Sequence, residues 1–126
     1  MSRSLALALA AGGAAALAAC ATPAPEPYAP LDADAHEMSP YKIHEACVKL
    51  APGDRLDWRF ESQAPVDFNI HYHDANSVVL PISRTASYGD AGIYQASLAH
   101  DYCAMWEAGP GGAVVTYRVR PLRAGR

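Results

Sequence analysis

Arg55-Leu-Asp-Trp-Arg-Phe-Glu61 and, four residues later, Val66-Asp-Phe-Asn-Ile-His-Tyr-His73 decide the fold class of this chain. In the first run Leu56, Trp58 and Phe60 alternate with Arg55, Asp57, Arg59 and Glu61. In the second, Val66, Phe68, Ile70 and Tyr72 alternate with Asp67, Asn69, His71 and His73. A period of two is the signature of a strand with one buried and one wet face. Pro52-Gly-Asp54 ahead of the first run and Ser62-Gln-Ala-Pro65 after it have turn compositions.

The same reading extends in both directions. Ile43–Leu50 is an expected opening strand, and Val78–Ser83 a short one whose Pro81 places it at an edge. A polar, Gly-containing loop is expected over 84–91. Strands follow at Gly92–Leu98, Tyr102–Glu107 and Ala113–Val119, the last two separated by Gly109-Pro-Gly-Gly112. Seven short strands with frequent turns predict an all-β, antiparallel β-sandwich over residues 41–122, with 123–126 a C-terminal tail. Trp58, Phe60, Phe68, Tyr72 and Trp106 are the expected core.

The N-terminus reads differently. Arg3 precedes an uncharged Ala/Leu-rich stretch, Leu5–Leu17, too short and small-residued to span a bilayer. Leu17-Ala-Ala-Cys20 then resembles the lipobox of bacterial lipoproteins. Small residues at 18 and 19 suit a narrow peptidase site, and the Cys20 thiol is the nucleophile that takes a diacylglycerol. Residues 1–19 are therefore expected to be a cleaved signal peptide, with lipidated Cys20 as membrane anchor. An ordinary cleaved signal with a chance cysteine, or a short buried helix, is the other reading. Ala21, rather than Asp, favours sorting to the outer membrane, facing the periplasm, by resemblance to Gram-negative rules. Residues 20–40 carry prolines at 23, 25, 27, 30 and 40. They read as an extended linker reaching up to about 60 Å, with His36 solvated within it.

Charge excludes some partners. The 126-residue chain carries ten Lys+Arg and thirteen Asp+Glu, a net −3; removing 1–19 takes away Arg3 and leaves −4. With only Lys42 and Lys49 as lysines and no basic cluster, no nucleic-acid partner is expected. Once Cys20 is lipidated, Cys47 and Cys103 remain, and a pair in an exported domain is expected to form a disulfide. The alternative, a metal-binding or redox thiol, has no C-x-x-C and no local Cys–His spacing behind it.

Cys47 to Leu122 resembles a GOLD domain, a β-sandwich of eukaryotic secretory cargo receptors and some lipid-transfer proteins. The residues behind the resemblance are Gly53 with Trp58 and Phe60, the Val66–His73 strand, Gly92-Ile-Tyr94, Tyr102-Cys-Ala-Met-Trp106 and Val115-Thr-Tyr-Arg-Val119. Glu107-Ala108 stands where the family usually has Asp-Asn. The resemblance implies a GOLD/jelly-roll-like sandwich that recognises protein or lipid through a sheet face or edge.

Two site readings follow. Asp67, Asn69, His71 and His73, on the polar face of one strand, form the expected recognition surface of a non-enzymatic binding or structural module without a cofactor. Alternatively, His71 and His73, at i and i+2 on one face and roughly 6.5–7 Å apart along the strand, hold copper or zinc. A further ligand would come from His44, His100, Asp101 or Met105. No serine lies in a G-x-S-x-G context and no Gly-rich loop leads to Lys and a helix, so catalysis is not expected.

Overall fold

The computed structural model describes residues 29–125. The signal segment 1–19, Cys20 and the first part of the linker lie outside the described residues. Six strands make one curled antiparallel sheet: β1 (Asp32–Met38), β2 (Ile43–Leu50), β3 (Arg55–Asp74), β4 (Ser77–Gln95), β5 (His100–Ala108) and β6 (Ala113–Leu122). The chain is all-β, as its periodicity predicts; among the described residues no helix is present.

Strand count is where the expectation needs correction. Arg55–Glu61 and Val66–His73 are one strand of 20 residues, not two. Residues 78–83, 84–91 and most of 92–98 are likewise one strand, β4. The turn composition at 62–65 does not break the chain because both strands of the hairpin deform together. Register shifts fall between Glu61 and Val66 and between Val66 and Phe68, and Ala86 opposite them has a positive φ of 49°. A bulge of this kind bends a strand and sharpens its twist without ending it.

That bend divides β3 between two sets of neighbours. Arg55–Ser62 pairs with β6, and Val66–His71 pairs with β5, along the same edge. The opposite edge is covered by β4 throughout. Outside β6 and β5 lie β1 and β2. The curl encloses Leu56, Trp58, Phe60, Val66, Phe68, Ile70, Tyr102, Trp106, Val115, Tyr117 and Val119, all buried. These are the expected inward residues. The register explains the selection: Phe68 stands opposite Trp106, which stands opposite His44, so one row across three strands faces inward.

Strand β1 corrects the linker boundary, since 32–38 belong to the sheet rather than to the tether. Its sequence, Asp-Ala-Asp-Ala-His-Glu-Met, has no clean alternation because Ala35, with φ 51°, interrupts it at a bulge between Ala33 and His36. Met38 nonetheless enters the core. The β5–β6 turn ends on Gly112, whose φ is +71° and whose missing Cβ would lie 2.6 Å from the Met38 carbonyl oxygen. Only glycine fits there.

The C-terminal tail is also tied down. Asp54 is fully buried. Its Oδ2 accepts from the Ala51 amide (2.9 Å) and Arg123 Nη1 (3.1 Å), and its Oδ1 from the Ala124 amide (2.9 Å). Asp54→Ala leaves these part-buried backbone donors without their acceptor. We expect it to cost about 2–3 kcal/mol in urea unfolding. Arg123→Ala, which removes a half-exposed cation, should cost less than 1 kcal/mol or so.

Candidate functional site

On the outer face of the β2–β5–β3 portion, register places Cys47, Cys103 and His71 in one row across three strands. The next row is Glu45, Met105 and Asn69. Cys47 and Cys103 form a disulfide, as expected, linking directly opposite positions of β2 and β5.

The expected recognition surface is not one open face. Asn69 is 7% and His71 4% exposed, while Asp67 and His73 are exposed. Sequence alternation assigns these residues correctly to the polar side of β3. It does not reveal that Asn69 and His71 bond to each other and that register brings Glu45 of β2 to the His71 ring.

His71 has a specific environment. Its Nδ1 meets Asn69 Oδ1 at 2.8 Å. An amide oxygen only accepts, so Nδ1 carries the hydrogen and donates it. Nε2 points the other way, 3.5 Å from Glu45 Oε1. Burial holds the His71 pKa below its ordinary value, against the raising influence of Glu45 and alongside the lowering influence of His73. In the neutral ring, then, the Nε2 lone pair and a carboxylate converge on the same space. One ligand atom each from Glu45, His71 and Cys103 lies within 4.8 Å of the others.

The remaining metal candidates are not brought together. His73 sits edge-to-face with His71 at 5.4 Å between ring centroids but stays outside that cluster. Met105 lies in the neighbouring row. His44 and His100 are on the inner face: His44 shares the Trp106 row, and His100 stacks on Tyr72 at 4.9 Å, with Asp74 3.9 Å from its Nε2. A site combining either with His71 is excluded by the sheet between them. Asp101 is exposed, opposite Lys49.

His44 forms a second small constellation with His36. Their rings lie 3.9 Å apart, so His36 is a packed strand residue, not a solvated linker residue. The Tyr117 hydroxyl donates to the Pro30 carbonyl oxygen (2.8 Å), which leaves its oxygen to accept from His44 Nε2 (2.8 Å). Burial, then repulsion from His36, lowers the His44 pKa below its ordinary 6.5. A histidine whose folded pKa is depressed binds fewer protons folded than unfolded. Its contribution is complete above about pH 6.5 and is lost as the pH falls below that value. Wild-type thermal stability should therefore drop as the pH falls below about 6.5, and His44→Gln should flatten part of that drop.

Comparison with known protein-family models and with curated proteins finds no match. The functional reading therefore rests on residues alone. Glu45 is the site residue that sequence reasoning missed. Glu45 and Cys47 share a strand face at i and i+2, but only the β2–β5–β3 register brings them to His71.

A further surface stands out at the edge. Among the described residues β4 pairs with β3 alone. Val78, Leu80, Tyr88 and Ile93 on it are exposed large apolar side chains. Its only charged residues, Arg84 and Asp90, pair with each other at 3.2 Å.

Proposed function

We propose that this chain is a lipid-anchored envelope protein, held through Cys20 at the outer membrane and facing the periplasm. Its GOLD-like β-sandwich serves as a non-enzymatic binding module. The lipobox Leu17-Ala-Ala-Cys20 supports the anchor, and Cys20→Ala should abolish incorporation of labelled palmitate. The partner is an extended, uncharged segment of another envelope protein that adds a strand along β4.

The observation that carries this reading is the outer edge of β4, which no other strand covers among the described residues. An open edge is a template for another strand unless charge, proline or a covering element blunts it. Here β4 has a single proline, Pro81, and no unpaired charge, so a partner strand meets apolar side chains and backbone.

Hydrogen exchange provides the test. Amides of β4 that point outward should exchange more slowly in envelope vesicles holding the full chain than in the purified chain in detergent. Val78→Lys with Leu80→Lys should remove that protection without lowering the melting temperature. Equal exchange of β4 in both preparations would refute strand addition.

A further inference from the structure

The Cys47–Cys103 bond lies against two groups whose electron pairs converge on one point, and none of the three needs the others to hold the sheet's register. We infer that reduction of this disulfide by a dithiol opens a zinc site built from Cys47, Cys103, His71 and Glu45.

The disulfide sulfurs, His71 Nε2 and a Glu45 oxygen occupy the same side of the sheet. His71, Cys103 and Glu45 donor atoms lie within 4.8 Å of one another, and Cys47 Sγ is bonded to Cys103 Sγ. In the oxidised chain the sulfurs are spent on each other, and a neutral disulfide is a poor ligand. Freed as thiolates they are strong zinc ligands, with Zn–S of about 2.3 Å. Two such sulfurs stand about 3.8 Å apart in a tetrahedron. Rotation about the two Cα–Cβ bonds provides that separation while the strands stay paired. Two thiolates, an imidazole and a carboxylate make a four-ligand set of the kind zinc takes.

The surroundings fit as well. Metal-bound histidines ordinarily donate their other ring N–H to an oxygen, which fixes the ring. Asn69 Oδ1 does this for His71 at 2.8 Å, leaving Nε2 facing Glu45. With His71 and Asn69 both buried, the ring is held before any ion arrives.

The chemistry balances. A thiolate of the dithiol attacks the half-buried Cys47 sulfur, the S–S bond breaks, and Cys103 leaves as thiolate and takes up a proton. The dithiol's second thiolate then attacks its own mixed-disulfide sulfur and releases Cys47. Two electrons and two protons pass to the protein, and the dithiol becomes a cyclic disulfide. Zinc binding then releases both thiol protons to solvent.

The experiment uses the full chain with Cys20→Ser, in which Cys47 and Cys103 are the only cysteines. One sample is oxidised. The other is reduced with dithiothreitol and desalted under argon. Each is titrated with Zn²⁺ against a chromophoric chelator. The reduced chain should bind one zinc, about a hundredfold more tightly than the oxidised chain. Co²⁺ in its place should give tetrahedral visible bands and thiolate charge-transfer absorption. His71→Ala and Glu45→Gln should each weaken the reduced site by about tenfold or more, whereas His44→Gln, on the opposite face, should not. Equal affinity in the two redox states, or unchanged affinity in His71→Ala, would overturn the proposal. If reduction alone unfolds the chain, zinc must restore its near-ultraviolet circular dichroism; failure to do so also overturns it.

Discussion

Trp106→Ala is expected to destabilise the domain by about 3–5 kcal/mol, a large fraction of the total stability of a domain of this size. Trp106 is fully buried at the meeting point of β5, β3 and β6. Its ring stacks on Tyr117 at 4.4 Å, tilts against Phe68 at 5.5 Å and meets Phe60 edge-on at 6.0 Å. His44 covers it from β2 at 6.0 Å. Truncation opens a cavity walled by aromatic rings, which cannot collapse easily into it. Trp106→Phe separates volume from chemistry. The indole Nε1 is buried with no hydrogen-bond partner, so exchange for Phe removes an unsatisfied donor while keeping most of the contact. It should cost less than about 1.5 kcal/mol. Urea unfolding of both variants checks the pair; equal losses would mean that Trp106 is held by its nitrogen.

The second large effect is expected from Cys47→Ser with Cys103→Ser, at about 4 kcal/mol. The bond closes a loop with a sequence separation of 56, and its chief action is to restrict the unfolded chain. The ladder between β2 and β5 runs unbroken from Ile43–Glu107 to Leu50–His100, so the folded pairing does not require the bond. The double variant should therefore fold to the same sheet at low temperature, with unchanged far-ultraviolet circular dichroism and a lower urea midpoint. Loss of the β2 signals at low temperature would show that the bond holds the strand in place.

Fold class was legible because apolar residues alternate so strictly at Leu56–Phe60, Val66–Tyr72 and Val115–Val119. These positions are buried as the period requires. What misled was turn composition at Ser62–Pro65 and over 84–91. Gly, Pro and polar residues mark a bend as readily as a break, and which one forms is decided by the neighbouring strand. Strand β1 was not legible, since Asp32–Met38 pairs because β6 offers an edge, not because its own sequence alternates. The cysteine pair was legible from the count of cysteines. The cluster around His71 was not, since Glu45, His71 and Cys103 are separated by 26 and 32 residues and meet only through register. Likewise, His44 and His71 look equivalent as letters and end on opposite sides of the sheet.

The 20-residue strand β3 also governs the order in which this protein is completed during synthesis. Its hairpin with β4 is finished by Gln95, yet both pieces of its other edge, β5 and β6, are supplied by residues 100–122. Until residues 100–122 have emerged, β3 carries one long, aromatic-studded flank with neither β5 nor β6 beside it. Such a flank invites association with other chains. A protein built in this order benefits from being kept unfolded until β6 is available to pair with β3.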